Sequence, residues 1–249
     1  MSEPYIVYGR EGAQYEIHAT QRDGNGRYPW GTLMMLPDGR QFRYVRAGGT
    51  IAAGLLAQSE VPEANWDELA VNTFALGDKT MAITLGATAM DLNEAAWGYV
   101  NVEDDTGEGY AYSIFSNPAI GSGAEGTFVL NTGVRLAAVA ATTVGVLKSP
   151  YRDIIVHPSP PTAIVVGVVQ QAMVAGNCGW VQVWGPCSVL TEGTLVIGDS
   201  VQPSSSADGA VTPMTLTEGT PNVEIAPNVG WCMEVAATTE YSMIFLRIG

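Results

Sequence analysis

From about residue 70 to its end, the chain alternates apolar and polar side chains in short runs separated by Gly, Pro, Asn and Asp. A period of two sends one set of side chains into a core and the other to the opposite face, which is the pattern of a half-buried strand and not of a helix. Such runs fall at 81–85, at 99–102 and 110–115 on either side of an acidic turn, and at 127–130, 135–139 and 144–147. They resume at 163–174, 180–184, 194–197, 209–214, 229–235 and 241–248. The 99–115 stretch reads as a hairpin, and the spacing of the rest suits a sandwich or small barrel. Only 63–71 (EANWDELAV) offers a helical turn, with Asn65 as its cap. The expected fold class is therefore all-β with very little helix. Beyond an N-terminal segment over 1–49, it comprises a first β domain over 50–157 and a C-terminal β-barrel-like domain over 163–249. The segment 157–162 (HPSPPT) separates the two domains, because its three prolines fix an extended connector poor in hydrogen-bond donors. The string LTEGT occurs at 190–194 and again at 216–220 without a fixed period, so it implies shared turn chemistry and not a repeat architecture.

Charged residues are 14% of the chain and apolar residues 47%. With so few charges to cover a surface, part of the apolar excess is expected to be buried against other chains. The formal charge of −14 argues against contact with nucleic acid or an anionic membrane, both of which select basic surfaces. The longest apolar run, 163–169, is too short to cross a bilayer. The N-terminal residues lack the apolar stretch of a signal peptide, so synthesis and folding in a cytoplasm are expected. Three cysteines, Cys178, Cys187 and Cys232, read as small buried hydrophobes, with a disulfide between two of them left open. Two histidines, His18 and His157, are too few for a zinc site without carboxylate help, and His157 reads as a strand-end residue.

The residues offer little catalytic chemistry. The one carboxylate cluster, Glu103 to Glu108, lacks the alternating ligand spacing of a calcium loop and reads as a solvated hairpin turn. The glycines at 107 and 109 would lie inside that hairpin and not between a strand and a helix, where phosphate is cradled. Gly121-Ser122-Gly123 lacks the strand–helix context of a nucleophile elbow. Trp97, Trp180 and Trp231 fall within strand patterns and read as core. No catalytic residue, cofactor or metal site is expected, and the chain does not read as an enzyme.

One segment stands apart. Residues 1–46 hold six of the eleven Lys+Arg and five of the twenty-five Asp+Glu, a balance of +1 on an otherwise acidic chain. Within 28–49, YPWGTLMMLPDGRQFRYVRAGG, the residues Arg40, Arg43 and Arg46 interleave with Phe42 and Tyr44 behind a Pro37-Asp38-Gly39 turn, and Arg27 lies just before. Arginine and aromatics are enriched at protein interfaces, which makes Arg27, Arg40, Phe42, Arg43, Tyr44 and Arg46 candidate docking residues. The other reading is a hairpin whose arginines pair with this chain's own acids. The residues alone leave both open.

The strings at 28–49, at 179–204 (GWVQVWGPCSVLTEGTLVIGDSVQPS) and at 237–249 (ATTEYSMIFLRIG) resemble a family of structural virion proteins of tailed bacteriophages, of the head decoration (cement) type. The resemblance implies a β-rich protein on the outer surface of the head that stabilises the major capsid lattice. It also implies a major capsid protein as partner, a homotrimer matching the capsid's local three-folds, and an N-terminal extended arm and docking hairpin over 1–49 that meets the capsid through the arginines named above. A fibre or spike component that binds a host-surface glycan is the alternative function.

Overall fold

The computed structural model describes residues 6–139, 141–214 and 227–248. The chain is all-β, with 41% of residues in strands and 3% in helix, as the alternation requires. In chain order the strands are β1 (Val7–Tyr8), β2 (His18–Ala19), β3 (Leu33–Met35), β4 (Gln41–Arg46), β5 (Leu56–Gln58), β6 (Leu69–Ala70), β7 (Thr80–Thr84), β8 (Tyr99–Asp104) and β9 (Ala111–Ser116). They continue as β10 (Glu125–Leu130), β11 (Thr143–Leu147), β12 (Ile155–Val156), β13 (Val165–Val169), β14 (Asn177–Leu190), β15 (Ser200–Pro203), β16 (Val211–Pro213), β17 (Gly230–Glu234) and β18 (Tyr241–Arg247).

Two compact units result, and they divide the chain differently from the expected boundaries. The first unit comprises Met1–Thr20, Gly26–Glu60 and Pro150–Gly249; the second comprises Gln21–Asn25 and Val61–Ser149. The proline-rich 157–162 is therefore not a boundary. It lies inside the first unit, between β12 and β13. Nor is 1–49 a separate arm. Its β3–β4 hairpin forms as expected around Pro37-Asp38-Gly39, but β4 also pairs with β14 along its other edge, so the hairpin is built into the larger sheet. The physical reason is the apolar face of β4: Phe42 and Tyr44 are fully buried, which a solvated arm could not provide.

The second unit is a six-stranded antiparallel sheet in the order β6-β11-β8-β9-β10-β7. Val71, directly after β6, bridges to Ile83 of β7, so the sheet nearly closes into a barrel. Alternate residues of each strand point inward, among them Val100 and Val102, Tyr112 and Ile114, Phe128 and Leu130, to make one core. The alternating run at 135–139 forms no strand; it is a bend whose Ala138 still packs into that core. Asn65 is not a helix cap. Glu63 takes that place before a single 3-10 turn, Ala64–Trp66, and accepts from the Asn65 backbone N–H.

The first unit is organised by β14, which is fourteen residues long and serves two sets of neighbours. Its first half pairs with β4, β2 and β13; its second half, from Trp184, pairs with β18. From β18 the sheet continues through β17, β15 and β16, while β13 leads to β5 and β12. Within this strand Gly185 adopts φ 91°, off the extended backbone and open to glycine. Pairing survives because the buried Gln182 amide nitrogen donates to the carbonyl oxygens of Trp184, Gly185 and Pro186 at 3.1, 3.2 and 2.8 Å. One core under the first half gathers Val45, Ile51, Ile154, Val169 and Val181; another under the second gathers Cys187, Val189, Val201, Cys232 and Ile244. The expected strand at 194–197 does not form, its residues being irregular up to a turn at 197–198, and the second LTEGT string, at 216–220, lies outside the described residues.

Candidate functional site

Five of the six candidate docking residues sit on β4 or at the turn before it, and the sixth, Arg27, precedes the hairpin. Phe42 and Tyr44 face the interior with no exposed surface, so neither can touch a partner. Tyr44 is the centre of an aromatic cluster. Trp30 stacks on it at 5.7 Å and 7°, while Tyr28 and Trp180 meet it edge-on at 5.1 and 5.0 Å. Such contacts add to the burial of large rings, and they leave no space at Gly26, whose Cβ would stand 2.6 Å from Trp30 and 2.7 Å from Tyr44. Burial, reinforced by the neighbouring Cys178, pushes the Tyr44 hydroxyl well above its ordinary range. The Cys178 thiol is likewise raised, chiefly by burial. Neither group is a nucleophile near neutral pH.

The arginines are engaged by this chain's own groups. Arg40 donates to Asp38 at 2.6 Å and to Glu11 at 2.7 Å. Arg43 donates to the Gly31 carbonyl at 3.0 Å and lies over the Tyr151 ring at 5.8 Å. Arg46 donates to the Thr20 hydroxyl at 3.2 Å and forms an ion pair with Asp153, which also accepts from the Arg152 side chain at 3.3 Å. Arg27 is exposed, lies over Tyr28 and approaches His18 at 3.0 Å. His18 also stands 3.5 Å from Glu16. Burial and the adjacent Arg27 charge lower its pKa, so at neutral pH the ring is neutral and its Nε2 accepts from Arg27. Of the two readings of the basic segment, the geometry matches internal pairing for Arg40 and Arg46, and only Arg27 of the six is freely presented to solvent.

Other candidates resolve in similar ways. The Glu103–Glu108 carboxylates bend around a turn in which Asp105 adopts φ 60° and its backbone N–H donates to Asp104. Burial raises the Glu103 carboxyl, with Asp67 beside it as a further cause. Among the described residues no three His, Cys, Asp or Glu side chains converge as a metal site. All three cysteines are buried and free. Cys187 and Cys232 both pair with Ile244 from opposite sides, so their backbones stand two strand spacings apart, about 9.6 Å, beyond disulfide reach. A half-open cleft of about 390 Å³ is lined by Ile164, Val229 and Ile248, with His157 and Arg247 as its ionisable groups. His157 follows β12 directly and is held below its ordinary pKa by burial, so it is neutral.

Sequence reasoning missed a surface. Trp180 is buried as expected, but Trp97 and Trp231 are only half-buried. On the outward side of β14, β18 and β17, Trp184 and Trp231 flank Phe245 at 5.6 and 6.4 Å, and Arg247 lies over Trp231 at 5.6 Å. Met243 and the exposed Met233 and Tyr241 extend the apolar character of these strands. The signal was present in 241–248, where Tyr241, Met243 and Phe245 alternate with Ser242, Ile244 and Leu246: a strand apolar on both faces has a second face to cover. No helix of the described residues is long and apolar enough to cross a membrane. No family model, characterised protein or solved structure matches the chain.

Proposed function

We propose that this chain is a structural protein of a tailed-phage virion, made in the host cytoplasm. In this reading it is a decoration protein that binds the outer surface of the head and stabilises the major capsid lattice. The reading rests on the resemblance of its strings at 28–49, 179–204 and 237–249, and on one structural observation. The polar groups that sequence offered for docking are mostly satisfied internally, while three adjacent C-terminal strands present half-exposed Trp184, Phe245 and Trp231 outward. That is a surface suited to protein contact. The proposal includes no catalytic role, cofactor, nucleic acid or membrane partner.

The docking surface is revised from an arm to the folded unit. Residues 1–46 supply β4, whose loss would open the first unit's core, so the arginine hairpin is scaffold in this proposal and Arg27 alone remains a direct contact to the major capsid protein. Self-association belongs to the same proposal, and a trimer would match the capsid's local three-folds. The half-exposed aromatics also suit stacking on a sugar, which keeps the glycan-binding fibre or spike as the second reading. Quantitative mass spectrometry of purified virions separates the two. Hundreds of copies per particle are expected for decoration and a handful for a spike, and absence from the particle refutes both.

A further inference from the structure

The outward face of β14, β18 and β17 carries a charge layout that fits a second copy of itself. In the row through Phe245, Pro186 stands on one side and Trp231 on the other. Toward the start of β18, Met243 is flanked by Ser188 and by the exposed Glu234; toward its end, the exposed Arg247 is flanked by Trp184. Cross-strand partners share a face, so one acid and one base lie on this surface on opposite sides of Phe245. Met243 and Arg247 are four residues apart, which is about 13 Å of strand. Arg247 leans over Trp231, toward the same strand that carries Glu234. The face is thus neutral on a chain whose formal charge of −14 makes two copies repel elsewhere.

We propose that this face is a two-fold self-association surface, on which a second copy packs with its β18 antiparallel to the first. An axis lying in the interface and crossing the strands at Phe245 sets Arg247 of each copy over Met243 of the other. That position is about one strand spacing, ~4.8 Å, from Glu234. The other in-plane axis, along β18, would oppose Arg247 to Arg247, and like charges placed so are repulsive. Charge therefore selects the antiparallel arrangement. The seven residues of β18 span about 23 Å and three strands about 14 Å, a projected face of roughly 330 Å² per copy. Stable interfaces bury about 800 Å² per partner, so the pairing is weak, with a dissociation constant of about 10 μM or higher.

Sedimentation velocity on the full chain between about 2 and about 200 μM brackets that value. A reversible monomer–dimer equilibrium is expected. Arg247→Glu and Glu234→Arg should each raise the dissociation constant about tenfold, and the combined variant should return it to within about threefold of the parent. Both positions are exposed, so neither change threatens the fold, and circular dichroism checks this. A monomer at every concentration, a trimeric mass (which would favour the three-fold assembly of the virion reading over this two-fold), or a dimer indifferent to the reversals or not rescued by their combination overturns the proposal. The pairing uses the face on which the virion reading rests, and the two fail separately: a monomer that still coats heads gives this face to the capsid and withdraws self-association, whereas absence from virions leaves the dimer standing.

Discussion

Replacing Asp153 by Asn tests whether the arginines of the basic segment belong to the scaffold. Asp153 sits at φ 58°, a left-handed backbone that Asn tolerates as Asp does, so the substitution removes charge without adding strain. The Arg46 side chain retains 26% exposure and the Asp153 side chain 12%. Breaking one partner of a fully buried pair costs about 3–5 kcal/mol, whereas a fully exposed pair is worth under about 1 kcal/mol. The intermediate burial here places the Arg46–Asp153 coupling at about 2–3 kcal/mol by interpolation between those limits. A double-mutant cycle with Arg46→Gln isolates it, because each single change leaves the Thr20 and Arg152 contacts to be counted separately. Urea unfolding followed by tryptophan fluorescence is the assay, since four of the six tryptophans lie in the first unit. With a slope of about 2 kcal/mol per molar urea, the Asp153→Asn midpoint should fall by about 1 M. A coupling below about 0.5 kcal/mol would place the pair in the solvent-screened class, free Arg46 for a partner, and restore the docking hairpin.

Two further predictions concern buried groups. His157 is almost fully buried and its folded pKa is depressed, so the unfolded chain binds the proton more readily. Its contribution is complete above the unfolded pKa of about 6.5 and is lost as pH falls through the folded value. Thermal melts should therefore show a loss of stability between pH 7.5 and 5.5 that is smaller in His157→Asn, and equal losses in both proteins would refute it. Gln182→Met keeps the volume but removes the donors facing three carbonyls of β14, two of which one amide can satisfy at a time. At about 1–3 kcal/mol per orphaned group two carbonyls cost about 2–6 kcal/mol, and loss of the buried, unpartnered Gln182 Oε1 returns about 1–3 kcal/mol, so the net cost should be about 1–3 kcal/mol; a urea-derived loss under about 0.5 kcal/mol would mean other donors serve these carbonyls.

The strand register of this protein was legible because its cause is local. Alternation at 99–102, 110–115 and 241–248 marks the strands that form, and the Pro37-Asp38-Gly39 turn marks its hairpin. The same local rule misread 135–139, where alternation serves a packed bend, and ended at Trp184 a strand that continues to Leu190 by pairing with the remote β18. Proline at 157–162 suggested a boundary, yet β12 and β13, on either side of it, both pair with β5.

The all-β class, the scarcity of helix and the inward side of most strands could be read along the chain, since they follow from side-chain periodicity and backbone propensity over a few residues. The rest depends on long-range contacts. Asp153 reaches Arg46 across 107 positions, and the first unit is assembled from three separate stretches of chain. Whether an arginine docks or pairs at home, and whether the second apolar face of β18 is covered, depends on which strands lie beside it. That is set by the burial gained in long-range pairing, a sum over the whole core that no local window contains.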